Sequence, residues 1–203
     1  MHPNAQFRRD DRALLRAMVD EVGFGMVFAA TPDGPRVAHV PLVLAKDGAD
    51  DVLRFHIARG NALARHLDGL NALAVVNGPD GYVSPRWLAD PAQVPTWNYV
   101  ALELEGKARR IDQDSLLALL EAQTARNEAR VTGGEPWTMA KMPADKLRTM
   151  MAAIVGFEIE VTAWRETFKL SQNKPADERA RAIAGLEEQG APAMAALMRG
   201  LVS

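Results

Sequence analysis

Residues 11–22, DRALLRAMVDEV, set Leu14, Leu15, Met18, Val19 and Val22 on one helical face, with Asp10 or Asp11 available as the cap and Gly23 to end it. The period then changes from helical to alternating. FGMVFAA (24–30) and RVAHVPLVLA (36–45), joined by a Pro/Asp/Gly turn over 31–35, read as a hairpin. A second polar turn over 46–51 leads into VLRFHI (52–57). Three strands joined by short links make an antiparallel meander the economical topology. NALARHLD (61–68) predicts a short helix and NALAVVN (71–77) another strand.

The pattern is lost over 78–99, a stretch with prolines at 79, 85, 91 and 95 that also holds Tyr82, Trp87, Trp97 and Tyr99. A loop of that length in a compact domain points to a ligand wall or an interface; the plainer reading is a loop pinned to the core by its aromatics. Alternation returns from Tyr99 to Ile111, with Val100, Leu102, Leu104 and Ala108 inward and Glu103, Glu105, Lys107 and Arg109 outward. A helix follows over 112–129, capped by Asp112 or Asp114 and striped with Leu116, Leu117, Leu119 and Leu120, and the glycines at 133–134 break it. A short helix near 143–152 precedes a strand over 154–164, in which Val155, Phe157, Ile159 and Val161 share a face. Two helices, 176–188 and 191–200, end the chain, the second with a docking stripe of Met194, Leu197, Met198 and Leu201. With no repeat and no linker, residues 1–203 read as a single α+β domain of about six antiparallel strands curled into a barrel.

Composition narrows the chemistry. The chain has 203 residues, 48% hydrophobic and 25% charged, enough for one real core. A net charge of −2 gives no bulk attraction to a polyanion. Zero cysteines exclude disulfides, Cys-ligated zinc, iron–sulfur clusters and thiolate catalysis. Imidazole chemistry is left to His2, His39, His56 and His66, which form no HExxH pair. No apolar run approaches the ~18 residues of a spanning helix and the N-terminus has no signal-peptide core, so a cytoplasmic protein is expected.

The most informative local pattern is LRFHIARGNALARHL (53–67). A strand, an open turn at Arg59-Gly60 and a helix start capped by Asn61 would gather backbone N–H groups and a guanidinium around a phosphate-sized anion. The same grammar also serves as an ordinary connection. P-loop and GxGxxG patterns are absent. In FKLSQNK (168–174), Lys169, Ser171, Gln172 and Asn173 offer a cation, a hydroxyl and two amides, suited to the edge of a flavin or pyrimidine ring. They would equally turn the chain before the next helix. His39 and His56 sit in strands, where a structural role is commonest, and no metal site is expected. The basic run KARR (107–110) reads as a solvated strand end.

Taken together, HVPL (39–42), HIARGN (56–61), YVSPRW (82–87), VPTWNY (94–99), GKA (106–108), IVGFEIEV (154–161) and KLSQN (169–173) resemble the PaiB-type proteins, known as FMN-binding negative transcriptional regulators. The resemblance runs through the whole chain in order. It implies a split β-barrel of the pyridoxamine-phosphate-oxidase type and a homodimer with FMN in the dimer cleft. On that resemblance Arg59, Gly60 and Asn61 hold the flavin phosphate, and His39, Val40 and Pro41 line the isoalloxazine. Trp97, Asn98, Lys169, Ser171, Gln172 and Asn173 close the pocket from one subunit or the other. The final helix pair offers only Arg199 as a cation on its second helix, a poor recognition helix, so direct DNA binding is not expected and regulation would run through flavin chemistry or a partner. Two alternatives stand beside this reading: a flavin-dependent oxidoreductase acting on a small molecule, and a haem-binding split-barrel protein using His39 or His56.

Overall fold

A computed structural model describes residues 3–90 and 92–202, with the side chains of residues 201 and 202 left aside. His2, Pro91 and the Leu201 side chain therefore lie outside the described part. The helices are α1 (Arg12–Val22), α2 (Gln113–Glu128), α3 (Ala144–Ala152), α4 (Ala176–Glu188) and α5 (Pro192–Val202). The strands are β1 (Phe24–Thr31), β2 (Gly34–Asp47), β3 (Asp50–Ala58), β4 (Asn71–Val83), β5 (Thr96–Arg110) and β6 (Ile154–Lys169). The chain divides into two compact units, a barrel unit of Arg16–Val76 and Glu103–Trp164 and a terminal unit of Met1–Leu15, Asn77–Leu102 and Arg165–Ser203.

In the barrel unit the strands close in the order β1-β2-β3-β6-β5-β4. The meander is as the alternation implies: β1 pairs antiparallel with β2 and β2 with β3, while Val52↔Glu160 through Ala58↔Ile154 join β3 to β6. Met26↔Val75 and Phe28↔Leu73 complete the ring between β1 and β4. Every second residue points inward, and Val27, Val40, Leu42, Leu53, Phe55, Leu104, Phe157 and Ile159 form a buried core. Phe55 and Phe157 stack within it, with ring centroids 6.0 Å apart. Glycine sits where backbones come closest: a Cβ on Gly106 would lie 1.8 Å from the Glu160 carbonyl oxygen. Asp112 caps α2 by accepting from Ser115 N at 2.8 Å. The helix buries Leu116 and Leu119, and its Gln123 and Arg126 side chains donate to the Pro41 and Leu42 carbonyls at 3.2 and 2.8 Å.

The expected helix over 61–68 does not form. The segment is a run of turns in which Ala64 N donates to Asn61 O, His66 N to Leu63 O and Leu70 N to Leu67 O. Leu63 and Leu67 are both buried, and Asp68 accepts from Arg110 N at 2.9 Å, so the segment is held by its anchors rather than by a helical ladder.

In the terminal unit, β4 continues to Val83 and β5 starts at Thr96, so the irregular stretch read over 78–99 shrinks to 84–95. Gly78-Pro-Asp-Gly81 has turn chemistry but is strand. Gly81 is there for clearance, since a Cβ would meet the Leu186 side chain at 2.5 Å. The last strand likewise runs five residues past the expected end, to Lys169. Helices α4 and α5 pack through Ala182, Leu186, Met194, Ala195 and Met198, and Gly185 accommodates the Trp87 ring.

Candidate functional site

At the exit of β3, Arg59 is tied to the backbone on three sides: its N donates to Ala153 O at 2.8 Å, Nε to Ala152 O at 2.9 Å and Nη2 to Ile154 O at 3.1 Å. The guanidinium is therefore fixed between the end of α3 and the start of β6, with Nη1 uncommitted among the described residues. Asn61 Oδ1 accepts from Leu63 N at 2.9 Å. The N–H groups of Gly60 and Ala62, both exposed, find no acceptor among the described residues. Gly60 lies outside the left-handed region, and nothing comes within 4 Å of where its Cβ would be. Its contribution is room, not an unusual backbone angle. Because no helix follows, the free donors belong to a turn and carry no helix dipole.

Nearby in sequence, β2 presents an apolar outer face. Phe24↔Pro41, Met26↔His39 and Phe28↔Val37 are cross-strand pairs, extended by Val75 and Leu73 on β4. Phe24 is 52% exposed and Val37 40%. His39 is exposed in the middle of this face, whereas the Val40 side chain points into the core, leaving only its backbone for a ligand. Pro41 is half-buried. His56, opposite Gly156, lines an apolar cavity of about 260 Å³ with Leu120, Trp137, Met142, Met150 and Ile154. Burial lowers the His56 pKa below 6.5, and the Gln123 side chain beside it opposes that only in part. No group of three or more His, Asp or Glu side chains among the described residues could hold a metal ion.

The other six candidates belong to the terminal unit. Trp97 is 54% exposed and meets Tyr82 edge-on, with centroids 6.0 Å apart and planes at 71°. Asn98, one residue on, is fully buried: its Nδ2 donates to Ser171 Oγ at 2.9 Å and lies 3.3 Å from Met198 Sδ. Ser171 is held at φ 58°, a conformation that costs a non-glycine residue energy unless its surroundings impose it. Gln172 accepts from Leu170 N at 2.8 Å and donates to the carbonyls of Phe168 and Gln6. Lys169 and Asn173 line a cavity of about 300 Å³. Burial lowers the Lys169 pKa, and its ammonium contacts Thr96 Oγ1. Across the cavity, Lys174 contacts Gln93 and lies 3.9 Å from Glu178, whose two oxygens accept from Gln93 Nε2 at 3.1 and 3.3 Å. Gln93, Thr96 and Glu178 carried no sequence signal; they reach Lys169 and Lys174 across long chain separations, apart from Lys174 and Glu178, which are four residues apart.

The sequence profile of a family described as "Putative FMN-binding domain" matches residues 1–163. The chain belongs to this family. It is 30% identical over 175 residues to the protease synthase and sporulation protein PAI 2 of Bacillus subtilis, covering 86% of this chain and 83% of that one. Among solved structures, an FAD- and haem-binding protein from Mycobacterium smegmatis superposes with a TM-score of 0.59 at 19% identity, covering 86% of this chain and 78% of the other. A conserved hypothetical protein from Mycobacterium tuberculosis gives a TM-score of 0.60 at 16% identity, covering 86% and 94%. The fold is thus an α+β split barrel, and the chain is a PaiB-like member of an FMN-binding family, with FMN or a related flavin as its cofactor. No helix among the described residues is long and apolar enough to cross a membrane.

Proposed function

We propose that this chain acts as a flavin-binding homodimer, with the FMN phosphate on the β3 exit turn and the isoalloxazine against the outer face of β2. The carrying observation is the cluster of donors at residues 59–62 without a protein acceptor: two exposed backbone N–H groups beside a guanidinium that is fixed in place and paired with no carboxylate among the described residues. Such a turn fits a phosphate, which accepts several donors at once and gains from a charged one. Arg59, Gly60 and Asn61 form it, Asn61 by holding the turn shape through Leu63. His39 and the backbone at Val40 and Pro41 would face the ring.

The apolar face of Phe24, Met26, Phe28, Val37, Leu73 and Val75 supports dimerisation. Patches of this kind on soluble proteins are commonly covered by a partner, and a self-complementary patch yields a two-fold dimer. The support does not come from strand edges, because the barrel closes and leaves none to cover. Trp97, the exposed aromatic of the second group, is the member suited to meet a ring brought by another protomer. Asn98, Ser171 and Gln172 hold the ends of β5 and β6.

A role in gene expression follows the PaiB resemblance and would be indirect. The one cation of α5, Arg199, is ion-paired with Glu187 at 2.6 Å, and the buried Met194, Ala195 and Met198 face is spent on packing. Weak, salt-sensitive DNA binding without operator selectivity is the expected result of a titration with the isolated protein. The flavin reading is tested with Arg59→Ala. A charge-assisted hydrogen bond contributes roughly 1.5–3 kcal/mol, so FMN affinity should fall about ten- to a hundred-fold. Riboflavin, lacking the phosphate, should be affected far less. Unchanged FMN affinity, or an equal loss for both ligands in a folded variant, refutes the phosphate assignment.

A further inference from the structure

We infer that the terminal-unit cavity is a binding site for a small monocarboxylate with a short apolar body, its carboxylate meeting the Lys169 ammonium. The inference does not depend on the flavin site.

The cavity holds two lysines in unlike circumstances. Lys174 is neutralised, sharing Gln93 and Glu178 in a closed set in which each polar end has a partner. Lys169 has no such arrangement. Its only polar contact is the neutral hydroxyl of Thr96, and no carboxylate pairs with it among the described residues. A half-buried ammonium facing a cavity with only a hydroxyl for company loses hydration without recovering it in an ion pair. The lowered Lys169 pKa reports the same deficit. An anion in the cavity would remove it.

The remaining walls limit what that anion can be. Phe7, Val83, Leu88 and Ala182 are apolar, and Val94 stands exposed nearby. Asn173 supplies an amide that donates as well as accepts. Glu178 lines the same space, so the cavity carries one uncompensated positive charge and would repel a dianion. At about 300 Å³ the space lies at the small end of ligand pockets, which calls for a compact molecule. The floor is rigid: the buried Asn98–Ser171 pair fixes the chain between Lys169 and Asn173 with Ser171 held at φ 58°. One ammonium, one amide, apolar walls and a small volume together specify a monocarboxylate.

The probes are benzoate and hexanoate, each compared with its uncharged amide by titration calorimetry on the folded protein at pH 7. The inference expects at least one acid to bind saturably while benzamide and hexanamide bind at least ten-fold more weakly. Lys169→Met should cost the acid ten-fold or more, Thr96→Val should retain binding because the charge remains, and Arg59→Ala should leave it unchanged. Thermal melting of each variant confirms that it is folded. Absence of binding by both acids at 10 mM (roughly −2.7 kcal/mol or weaker), equal binding of acid and amide, or full affinity in Lys169→Met overturns the inference. Loss of acid binding in Arg59→Ala would move the anion to the β3 turn and also overturn it. FMN affinity measured on the same Arg59→Ala protein separates the two readings: a failed flavin assignment leaves FMN affinity unchanged there and the acid titrations untouched.

Discussion

Replacing Gly106 by alanine sets one methyl group against the closure of the barrel. The added Cβ would lie 1.8 Å from the Glu160 carbonyl oxygen, 2.8 Å from its carbon and 3.0 Å from Ile159 Cγ2. The first two are backbone atoms of a paired strand and cannot rotate away. An ordinary carbon–oxygen contact needs about 3.3 Å, so β5 and β6 would have to separate locally by roughly 1.5 Å. A ladder hydrogen bond stretched by that much is lost, and about two flank the site, at about 1 kcal/mol each. Overpacking of a tight core adds about 1–3 kcal/mol, giving a total of about 3–5 kcal/mol. Against a typical stability of about 5–15 kcal/mol that is a large share, and for about 200 residues it lowers Tm by roughly 6–20 °C. Gly60→Ala is the control: its Cβ meets nothing within 4 Å, and the expected change is below about 0.5 kcal/mol. Thermal melts followed by circular dichroism, with urea unfolding in parallel, measure both. A Gly106→Ala protein melting within about 2 °C of the parent would refute the close approach as the reason for the glycine.

Two further outcomes follow from particular side chains. His56 is held below its ordinary pKa of 6.5 by burial, so as pH falls through 6.5 the unfolded chain takes up a proton that the folded chain does not. Stability should therefore fall below pH 6.5 until the lowered folded pKa is reached, and His56→Gln should flatten part of that slope; identical urea midpoint losses between pH 7.5 and 5.5 in parent and variant would sink the idea. On the outer face, Phe24→Glu with Val37→Lys should convert the proposed dimer to a 22.1 kDa monomer by light scattering while leaving the barrel core intact, and a dimer that survives both changes excludes this face as the interface.

Local signals served the sequence reading wherever the structure uses them locally. Asp112 caps α2 one residue before its start, and the alternation from Val100 to Ala108 is the inward face of β5 residue for residue. The reading fails where one pattern serves two structures. Leu63 and Leu67 are four apart, a helical spacing that successive turns bury just as well once Asp68 is tied to Arg110 N. Gly78-Pro-Asp-Gly81 has turn chemistry, yet Gly81 is required by the Leu186 side chain more than a hundred residues away. At the candidate sites, the donors of residues 59–62 and 169–173 are visible in sequence. Their commitments are not. Nothing near Arg59 announces the carbonyls of Ala152 and Ile154, and nothing near Lys169 announces that its neighbour is the Thr96 hydroxyl.

What distinguishes the two sites is the company kept by their cations. Arg54 pairs with Glu158, Arg109 with Glu160, Arg130 with Glu21 and Arg199 with Glu187, so much of the basic charge is spent within the chain. An exposed side chain such as Lys107 is served by water and needs no partner. Lys169 fits neither description, and Arg59, although exposed, has its guanidinium fixed by the backbone. Arg59 is pinned by two backbone carbonyls, which orient a guanidinium without cancelling its charge. Lys169 is half-buried against a hydroxyl, which likewise leaves the charge whole. In both cases orientation has been supplied and neutralisation withheld, the arrangement an anion-binding group requires, since a resident carboxylate would compete with the ligand for the same donors. Carboxylates outnumber cations overall, yet among the described residues none pairs with either group; Glu178, which lines the Lys169 cavity, is engaged by Lys174 and Gln93.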